Sequence, residues 1–276
     1  MKANIFDIQR NSFVDGPGIR TTVFFKGCNL SCKWCHNPES QRSSSEMLFY
    51  RDKCTGCGKC AEVCQNQLQS CTLCGKCALY CHVDARQICG REYTIDEVLS
   101  EVARDKRFYD ASGGGVTCSG GECMLQIDFL REFLAKCKES GIKTAVDTAG
   151  NVPWEYFERI IPHTDIFLYD VKCFSDGLHR EGVGVSNERI LSNLKKLASV
   201  FSGEIIIRIP LIPSFNDSTD ELLKIKAFLD EINPAKIELM PYHKMGEHKY
   251  AAIGKTATTY EELPSEKLDE LNKIFE

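Results

Sequence analysis

The chain has 276 residues, 43% of them apolar, and a formal net charge of −5, with 34 Lys and Arg scattered among 39 Asp and Glu. That length suits one large α/β domain with a small insert, and the mixed, acidic charge excludes the basic face that nucleic-acid binding calls for. No stretch approaches the roughly eighteen apolar residues of a membrane span, and the opening MKANIFDIQRNS lacks the apolar core and cleavage site of a secretory signal, so a cytoplasmic protein is expected.

Sixteen cysteines would mean disulfides in a small secreted domain, which this chain does not resemble. Most fall in three tightly spaced groups, a distribution that suits metal ligation better than cross-linking. Cys89, Cys118, Cys123, Cys137 and Cys173 stand apart and read as buried or spare thiols.

The first predicted strand, Thr21 to Phe25, runs into GCNLSCKWCHN, where Cys28, Cys32 and Cys35 are spaced C-x3-C-x2-C. Three thiolates on one loop hold three irons of a cubane and leave the fourth iron without a protein ligand, an open position where a substrate can bind. Zinc would want a fourth Cys or His nearby. His36 is adjacent in sequence to Cys35 and would chelate poorly.

From Cys54 to Cys81 the chain repeats itself, CTGCGKCAEVC then CTLCGKCALYC. Cys54, Cys57, Cys60 and Cys64, then Cys71, Cys74, Cys77 and Cys81, follow the rhythm of ferredoxins with two [4Fe–4S] clusters. Gly56, Gly58 and Gly75 let the chain wrap closely. Gln65 and His82 replace the proline that usually follows the fourth cysteine, and only the six residues Gln65 to Ser70 join the copies. In ferredoxins the fourth cysteine of each run ligates the other cluster; the short connection leaves the pairing open.

Further strands are predicted at Val116 to Ser119, Lys143 to Asp147, Asp165 to Val171, Glu204 to Ile209 and Lys236 to Met240. Helices are predicted between them at Ile95 to Lys106, Ile127 to Glu139, Asn187 to Ser199 and Glu221 to Glu231, with a last one at Ser265 to Phe275. Thr94 with Glu97 and Ser218 with Glu221 have the form of capping boxes. The alternation is that of a parallel α/β architecture. GGGVTCSGGE, Gly113 to Glu122, lacks the dinucleotide register and reads on its own as a tight glycine turn. Polar groups then recur at strand ends: Asp147 with Thr148, Asp170 with Lys172, Arg208 with Pro210, and His243 after Pro241 and Tyr242. Together they define one cavity.

The cysteine spacing, with Trp34 before the last cysteine, resembles the radical S-adenosylmethionine superfamily. FVDGPGIRTTVFFKGC, GGGVTCSGGE, DVK and LMPYHKMGEHKY, in that order and over nearly the whole chain, resemble the glycyl radical enzyme activating enzymes, such as pyruvate formate-lyase activase. The resemblance implies a partial (β/α)6 TIM-like barrel from residues 1–46 and 91–276. It also implies a ferredoxin-like insert at 47–90, as in the larger activases of dehydratases, decarboxylases and lyases. It implies three [4Fe–4S] clusters, S-adenosylmethionine on the first, and a monovalent cation. Reductive cleavage of that cofactor would give a 5′-deoxyadenosyl radical, which takes a Cα hydrogen from a glycine of a partner enzyme.

Carried over by motif, Gly120, Gly121 and Glu122 would hold the methionyl amino group, and Lys172 and Arg208 the carboxylate, for which the guanidinium fork is suited. Asp147 would reach a ribose hydroxyl and His243 the nucleoside, with Trp34 near the adenine and Cys35 and His36 also among the cofactor-binding residues. Asp147, Thr148 and Asp170 would cradle the cation. Asp15, Gly16 and Gly18 would line the mouth that admits the partner's glycine loop. A flavodoxin- or ferredoxin-like electron donor and a monomeric chain are expected. Two departures are Cys123 after GGE, a redox-sensitive thiol if it meets the radical, and Ser214 where glycine often follows the proline. A radical enzyme acting on a small molecule or peptide, and a non-catalytic iron–sulfur electron carrier, are the competing readings. The second leaves the first cysteine triplet unexplained.

Overall fold

A computed structural model describes all 276 residues. The apolar runs resolve into ten strands: β1 (Lys2–Ser12), β2 (Arg20–Phe25), β3 (Glu46–Phe49), β4 (Arg86–Cys89), β5 (Arg91–Thr94), β6 (Gly115–Gly120), β7 (Lys143–Thr148), β8 (Ile166–Asp170), β9 (Glu204–Leu211) and β10 (Lys236–Pro241). Eight form one sheet in the order β10-β9-β8-β7-β6-β2-β1-β5. From β2 to β10 all neighbours are parallel, the six strands expected from the sequence, while β1 pairs antiparallel with both β2 and β5.

Because side chains alternate along a strand, each parallel strand serves two interiors. Val116, Cys118, Val146, Phe167, Ile207 and Ile209 point outward into the main core, against Phe129, Leu130, Phe133, Leu194, Leu222 and Ile225 of the covering helices. On the concave side Ala145, Ile166, Leu168 and Ile206 form a separate small cluster. Asp147, Asp170 and Arg208 share its strand parity and lie further toward the carboxyl ends, with Asp170 and Arg208 in register. The barrel therefore has an apolar floor and a charged mouth.

The helix Ile127–Glu139 has the expected bounds, and Thr94 with Glu97 forms a full capping box. Other expectations are corrected. Ser218 caps its helix by accepting from the Glu221 amide, but the Glu221 carboxylate turns away to the amides of Phe174 and Ser175, at 2.6 and 2.9 Å. The expected helix Ile95 to Lys106 stops at Ala103, and a second begins at Lys106. Between them Asp105 buries its carboxylate to accept from Arg10 Nε at 2.7 Å and the Thr21 hydroxyl at 2.8 Å. The last helix ends at Asn272. Strand β1 was not anticipated, because only Ala3, Ile5 and Ser12 of its eleven residues are buried, too few to give an alternating signal.

The cysteine-rich repeat rises from its own two-stranded antiparallel sheet, β3 with β4. It carries two short helices, Lys59–Val63 and Lys76–Leu79, each entered through a left-handed glycine, Gly58 and Gly75, both at φ 75°.

Candidate active site and metal centres

The three-cysteine loop leaves the end of β2 and is fastened on both sides. The Gly121 amide donates to the Phe25 carbonyl at 2.9 Å and the Glu122 amide to the Gly27 carbonyl at 2.8 Å. A Cβ on Gly120, at φ 118°, would collide with the Phe25 backbone, and one on Gly121 with the Gly27 carbonyl and Cys28. These glycines let the end of β6 close on the loop, a reason within the protein itself beyond the close approach to a ligand expected from the sequence. Opposite, the amides of Ser31 and Lys33 donate at 2.9 Å to the carbonyls of Val183 and Gly182 at the end of the helix Asp176–Val183. Burial pushes the thiols of Cys28 and Cys35 up to about 12 and raises that of Cys32. Ligation needs thiolates, so loading a metal here releases protons.

The strand-end groups converge above the apolar floor. Asp147 accepts from the Ser119 hydroxyl at 2.7 Å and faces Arg208 Nη1 at 3.4 Å. Burial raises Asp147, and the arginine opposes that rise. Lys172 donates to Asp170 Oδ2 at 2.6 Å. Glu122, fully buried, accepts from the Thr148 hydroxyl at 2.8 Å and from the amides of Met124 and Ala149, each at 3.2 Å. Burial still lifts its carboxyl to about 7, against those three donors. The hydroxyl of Thr148 is thus turned toward Glu122, away from Asp147 and Asp170.

At the rim, the ring centroids of His36 and His243 lie 4.1 Å apart, and burial, then His243, push His36 down to about 4. His36 Nε2 and Arg208 Nε are buried without a hydrogen-bond partner. Buried polar atoms are rarely left so, and both suit a polar ligand in this mouth. The acids Asp15, Asp147, Asp170 and Glu238 outnumber Lys172 and Arg208 around it, which suits a ligand of net positive charge. Trp34 packs 4.7 Å from Phe215, with Leu30, Val183, Ile212 and Tyr242, as a buried wall of the loop.

The repeat contains two solvent-open cavities, of about 530 and 330 Å³. Cys71, Cys74 and Cys77 line the larger one together with Cys64 of the other copy; Cys54, Cys57 and Cys60 line the smaller one together with Cys81. Despite the six-residue connection, three cysteines of each run share a cavity with the fourth of the other, and the donor set fits a cubane in each. Backbone amides point at the sulfurs: Leu68 to Cys64 at 3.3 Å and Leu73 to Cys71 at 3.4 Å. Hydrogen bonds donated by the backbone amides of Lys76 and Arg86 lower the thiols of Cys74 and Cys81.

The segment between β1 and β2 folds into the barrel. The Asp15 carboxylate accepts from the hydroxyls of Ser12 at 2.5 Å and Thr22 at 2.7 Å, and the Val14 carbonyl accepts from Arg208 Nη2 at 2.9 Å. Gly16 and Gly18 sit at φ 112° and 74°; beside them Arg20, fully buried, binds Thr117, Val116 and Pro17. Cys123 is a buried thiol, as read for the scattered cysteines: it is sealed from solvent, points at the Cys118 carbonyl at 3.5 Å, and burial holds its thiol well above the ordinary range. Ser119 and Glu238 went unremarked in sequence because each lies inside a strand. So did Asn216, whose amide donates at 2.6 Å to the carbonyls of Lys172 and Pro210 and ties two strand ends.

The Radical SAM superfamily model matches residues 71–225 and a 4Fe-4S binding domain model matches 47–67. Among curated proteins, the chain is 41% identical over its whole length to the trans-4-hydroxy-L-proline dehydratase activating enzyme of Clostridioides difficile, covering 97% of it. It is 40% identical to the choline trimethylamine-lyase activating enzyme of Oleidesulfovibrio alaskensis, over 92% of this chain and 87% of that one. Among solved structures, a domain of pyruvate-formate lyase-activating enzyme from Bacteroides vulgatus aligns at TM-score 0.50 and 29% identity, over 58% of this chain and 92% of that one. A radical SAM methyltransferase from Sphaerobacter thermophilus aligns at TM-score 0.59 and 14% identity, over 99% of this chain and 70% of that one, a likeness of fold. The superfamily match starts beyond Cys35, so the three-cysteine loop stands on its own geometry and on the full-length relatives. With its six parallel strands and full-length kinship, the chain belongs to the radical S-adenosylmethionine superfamily, among the activating enzymes of glycyl radical enzymes.

Proposed function

We propose that this enzyme activates a glycyl radical enzyme of the dehydratase, decarboxylase or lyase type by removing one Cα hydrogen from a specific glycine, with S-adenosylmethionine as the radical source. One observation carries the reading: the Gly120-Gly121-Glu122 turn is hydrogen-bonded directly to the base of the Cys28–Cys35 loop, so cofactor-binding and cluster-binding strings share one mouth. Cys28, Cys32 and Cys35 hold the first [4Fe–4S] cluster. Cys54, Cys57, Cys60 and Cys81 hold a second, and Cys64, Cys71, Cys74 and Cys77 a third. Residues 47–90 form the two-cluster domain, and 1–46 with 91–276 the barrel. When bound, the first cluster supplies the electron that splits the sulfonium bond of the cofactor.

The protein's own part is binding, orientation and exclusion. Lys172 and Arg208 receive the cofactor's carboxylate, Gly120, Gly121 and Glu122 its amino group, and Asp147 a ribose hydroxyl. His36 and His243 frame the nucleoside and Trp34 backs the loop. The excess of acid over base in the mouth suits a sulfonium ligand, whose net charge is positive. Asp147 and Asp170, with the backbone at Thr148, suit a monovalent cation. Asp15, Gly16 and Gly18 face the partner's glycine loop. Glycine is the sensible target, since its α-radical is stabilised by the flanking amides and no side chain blocks approach. A flavodoxin- or ferredoxin-type donor supplies electrons to a monomeric activase.

The test is to incubate the reduced protein with S-adenosylmethionine and candidate partners, looking by electron paramagnetic resonance for a glycine-centred doublet. Deuterating the glycine Cα should collapse the doublet and place deuterium in the 5′-deoxyadenosine. If no partner gives the doublet and a small molecule alone stimulates deoxyadenosine formation, the reading is wrong.

A further inference from the structure

Lys26 follows the last residue of β2, two positions before Cys28, and its side chain is fully buried. Its ammonium donates to the Glu39 carbonyl at 2.8 Å and to Glu46 Oε1 at 2.9 Å, and lies 3.7 Å from Cys89 Sγ. Glu39 lies on the return from the three-cysteine loop, Glu46 opens β3 and Cys89 closes β4. Glu46 and Cys89 are partners in register, so one ammonium grips both strands of the cysteine-rich segment at the same rung. The next residue is Gly90, at φ 88°, where a Cβ would collide with the Lys26 stem. The chain leaves the segment through a glycine because the lysine occupies that space.

On the barrel side Lys26 is equally fixed. Its amide donates to the Asn4 carbonyl at 3.0 Å, and its carbonyl accepts from Gln126 Nε2 at 2.9 Å. Gln126 also exchanges two hydrogen bonds with the backbone of Asn4, at 2.8 and 2.9 Å. A buried ammonium is costly unless every donor finds a partner. An apolar side chain of similar length would fill the same space; what the ammonium adds is direction.

We propose that Lys26 is a positioning residue for electron transfer. It pins the root of the two-cluster segment to the strand that delivers Cys28, Cys32 and Cys35. It thereby fixes the separation across which each electron, supplied by a flavodoxin- or ferredoxin-type donor, passes from the segment to the loop. Electron tunnelling falls steeply with distance, so a root free to rock would slow that passage without touching the cofactor site. The inference rests on the cluster assignments proposed above.

The test uses full-length protein reconstituted with iron and sulfide, as wild type and as Lys26→Met. Iron content and circular dichroism should match. Deoxyadenosine formation driven by reduced flavodoxin should fall about ten- to a hundredfold, as for other residues supporting metal sites. With titanium(III) citrate, a small reductant that reaches the loop directly, it should stay at the wild-type rate. Independently of activity, the magnetic broadening between loop and segment clusters in the fully reduced protein should weaken and become heterogeneous. Wild-type flavodoxin rate and broadening in Lys26→Met would overturn the proposal, as would equal losses with both reductants. If Lys26→Met fails to load iron, Glu46→Ala decides: weakened broadening supports the role and wild-type broadening rejects it. Failure of the activase reading looks different, since wild type itself would then yield no glycyl doublet while the broadening still reports on Lys26.

Discussion

The Lys172 ammonium lies 2.6 Å from Asp170 Oδ2, so the lysine proposed to receive the cofactor's carboxylate already holds a carboxylate two residues earlier on the same strand end. Burial works against its charge, but Asp170 and, further off, Asp147 outweigh that and hold it above the ordinary lysine range, so it stays charged. Removing it takes a donor from the cofactor and also leaves Asp170 unpaired. Lys172→Ala should therefore weaken S-adenosylmethionine binding by roughly 1.5–3 kcal/mol, about ten- to over a hundredfold, with Arg208→Ala doing the same. Calorimetric titration of the reconstituted variants checks this, with iron content unchanged. Wild-type affinity in both would show that Lys172 serves only Asp170 and Arg208 only Asp147.

The crossed lining of the two cavities makes a prediction that uncrossed pairing does not. Cys54→Ala with Cys81→Ala should cost one cluster, about four irons, because both residues line one cavity. Cys54→Ala with Cys64→Ala strikes both cavities and should disturb two clusters. Iron analysis with Mössbauer spectroscopy separates the outcomes. If the Cys54 and Cys64 pair were the one to spare a whole cluster, the copies would be ligating independently.

Much of this was legible from sequence because it depends on local rhythm. The C-x2-C spacing, the β-rich runs and the Thr94 box each report on neighbours within a few residues. What stayed hidden depends on distant partners. Glu221 has the spacing of a capping box, yet the amides of Phe174 and Ser175 outbid Ser218 for it. Asp105 breaks a helix that propensity would continue, because Arg10 and Thr21 offer it a buried site. The cavity pairing of Cys64 and Cys81 was undecidable from spacing alone, since a six-residue connection permits either arrangement.

The repeat also shows where the second copy pays in backbone strain. Gly56 and Leu73 occupy the same place in the two copies, at φ 71° and 57°. The left-handed region costs a leucine but not a glycine. Leu73→Gly should stabilise the segment by about 0.5–1 kcal/mol after the extra chain entropy of glycine is counted. Gly56→Ala should destabilise it by about 1 kcal/mol through conformation alone, since nothing lies within 4 Å of the added Cβ. Thermal unfolding of the loaded protein, followed by the cluster absorbance, measures both. Destabilisation by Leu73→Gly would mean that the side chain of Leu73, not its backbone, governs the site.

Gly121 is constrained far more tightly. A methyl group there meets the Gly27 carbonyl and Cys28 Cβ, backbone and ligand rather than a flexible tip. Gly121→Ala should push the loop from the end of β6, with loss of the first cluster and retention of the two in the repeat. The iron content should fall by about a third of the expected total, and the repeat's spectroscopic signals should persist. Full iron in this variant would show that the loop can yield without losing its ligand geometry.

Asp15 tests the entry of the partner. Its carboxylate is held by Ser12 and Thr22 from within, and the Thr117 hydroxyl donates to its carbonyl at 2.7 Å. Two of its neighbours, Phe13 and Val14, are 72% and 73% exposed. The segment is thus fixed at its centre and open beside it, the form expected of a surface that receives a loop without deforming. Asp15→Ala should lower the yield of partner glycyl radical more than it lowers cofactor cleavage in the partner's absence. The ratio of doublet intensity to deoxyadenosine formed is the quantity to measure. Ser12→Ala serves as the control, because it removes one internal bond and leaves the carboxylate in place, and it should shift the ratio less. A fall in both yields by the same factor in Asp15→Ala would assign the residue to holding the barrel together, with no part in admitting the glycine loop.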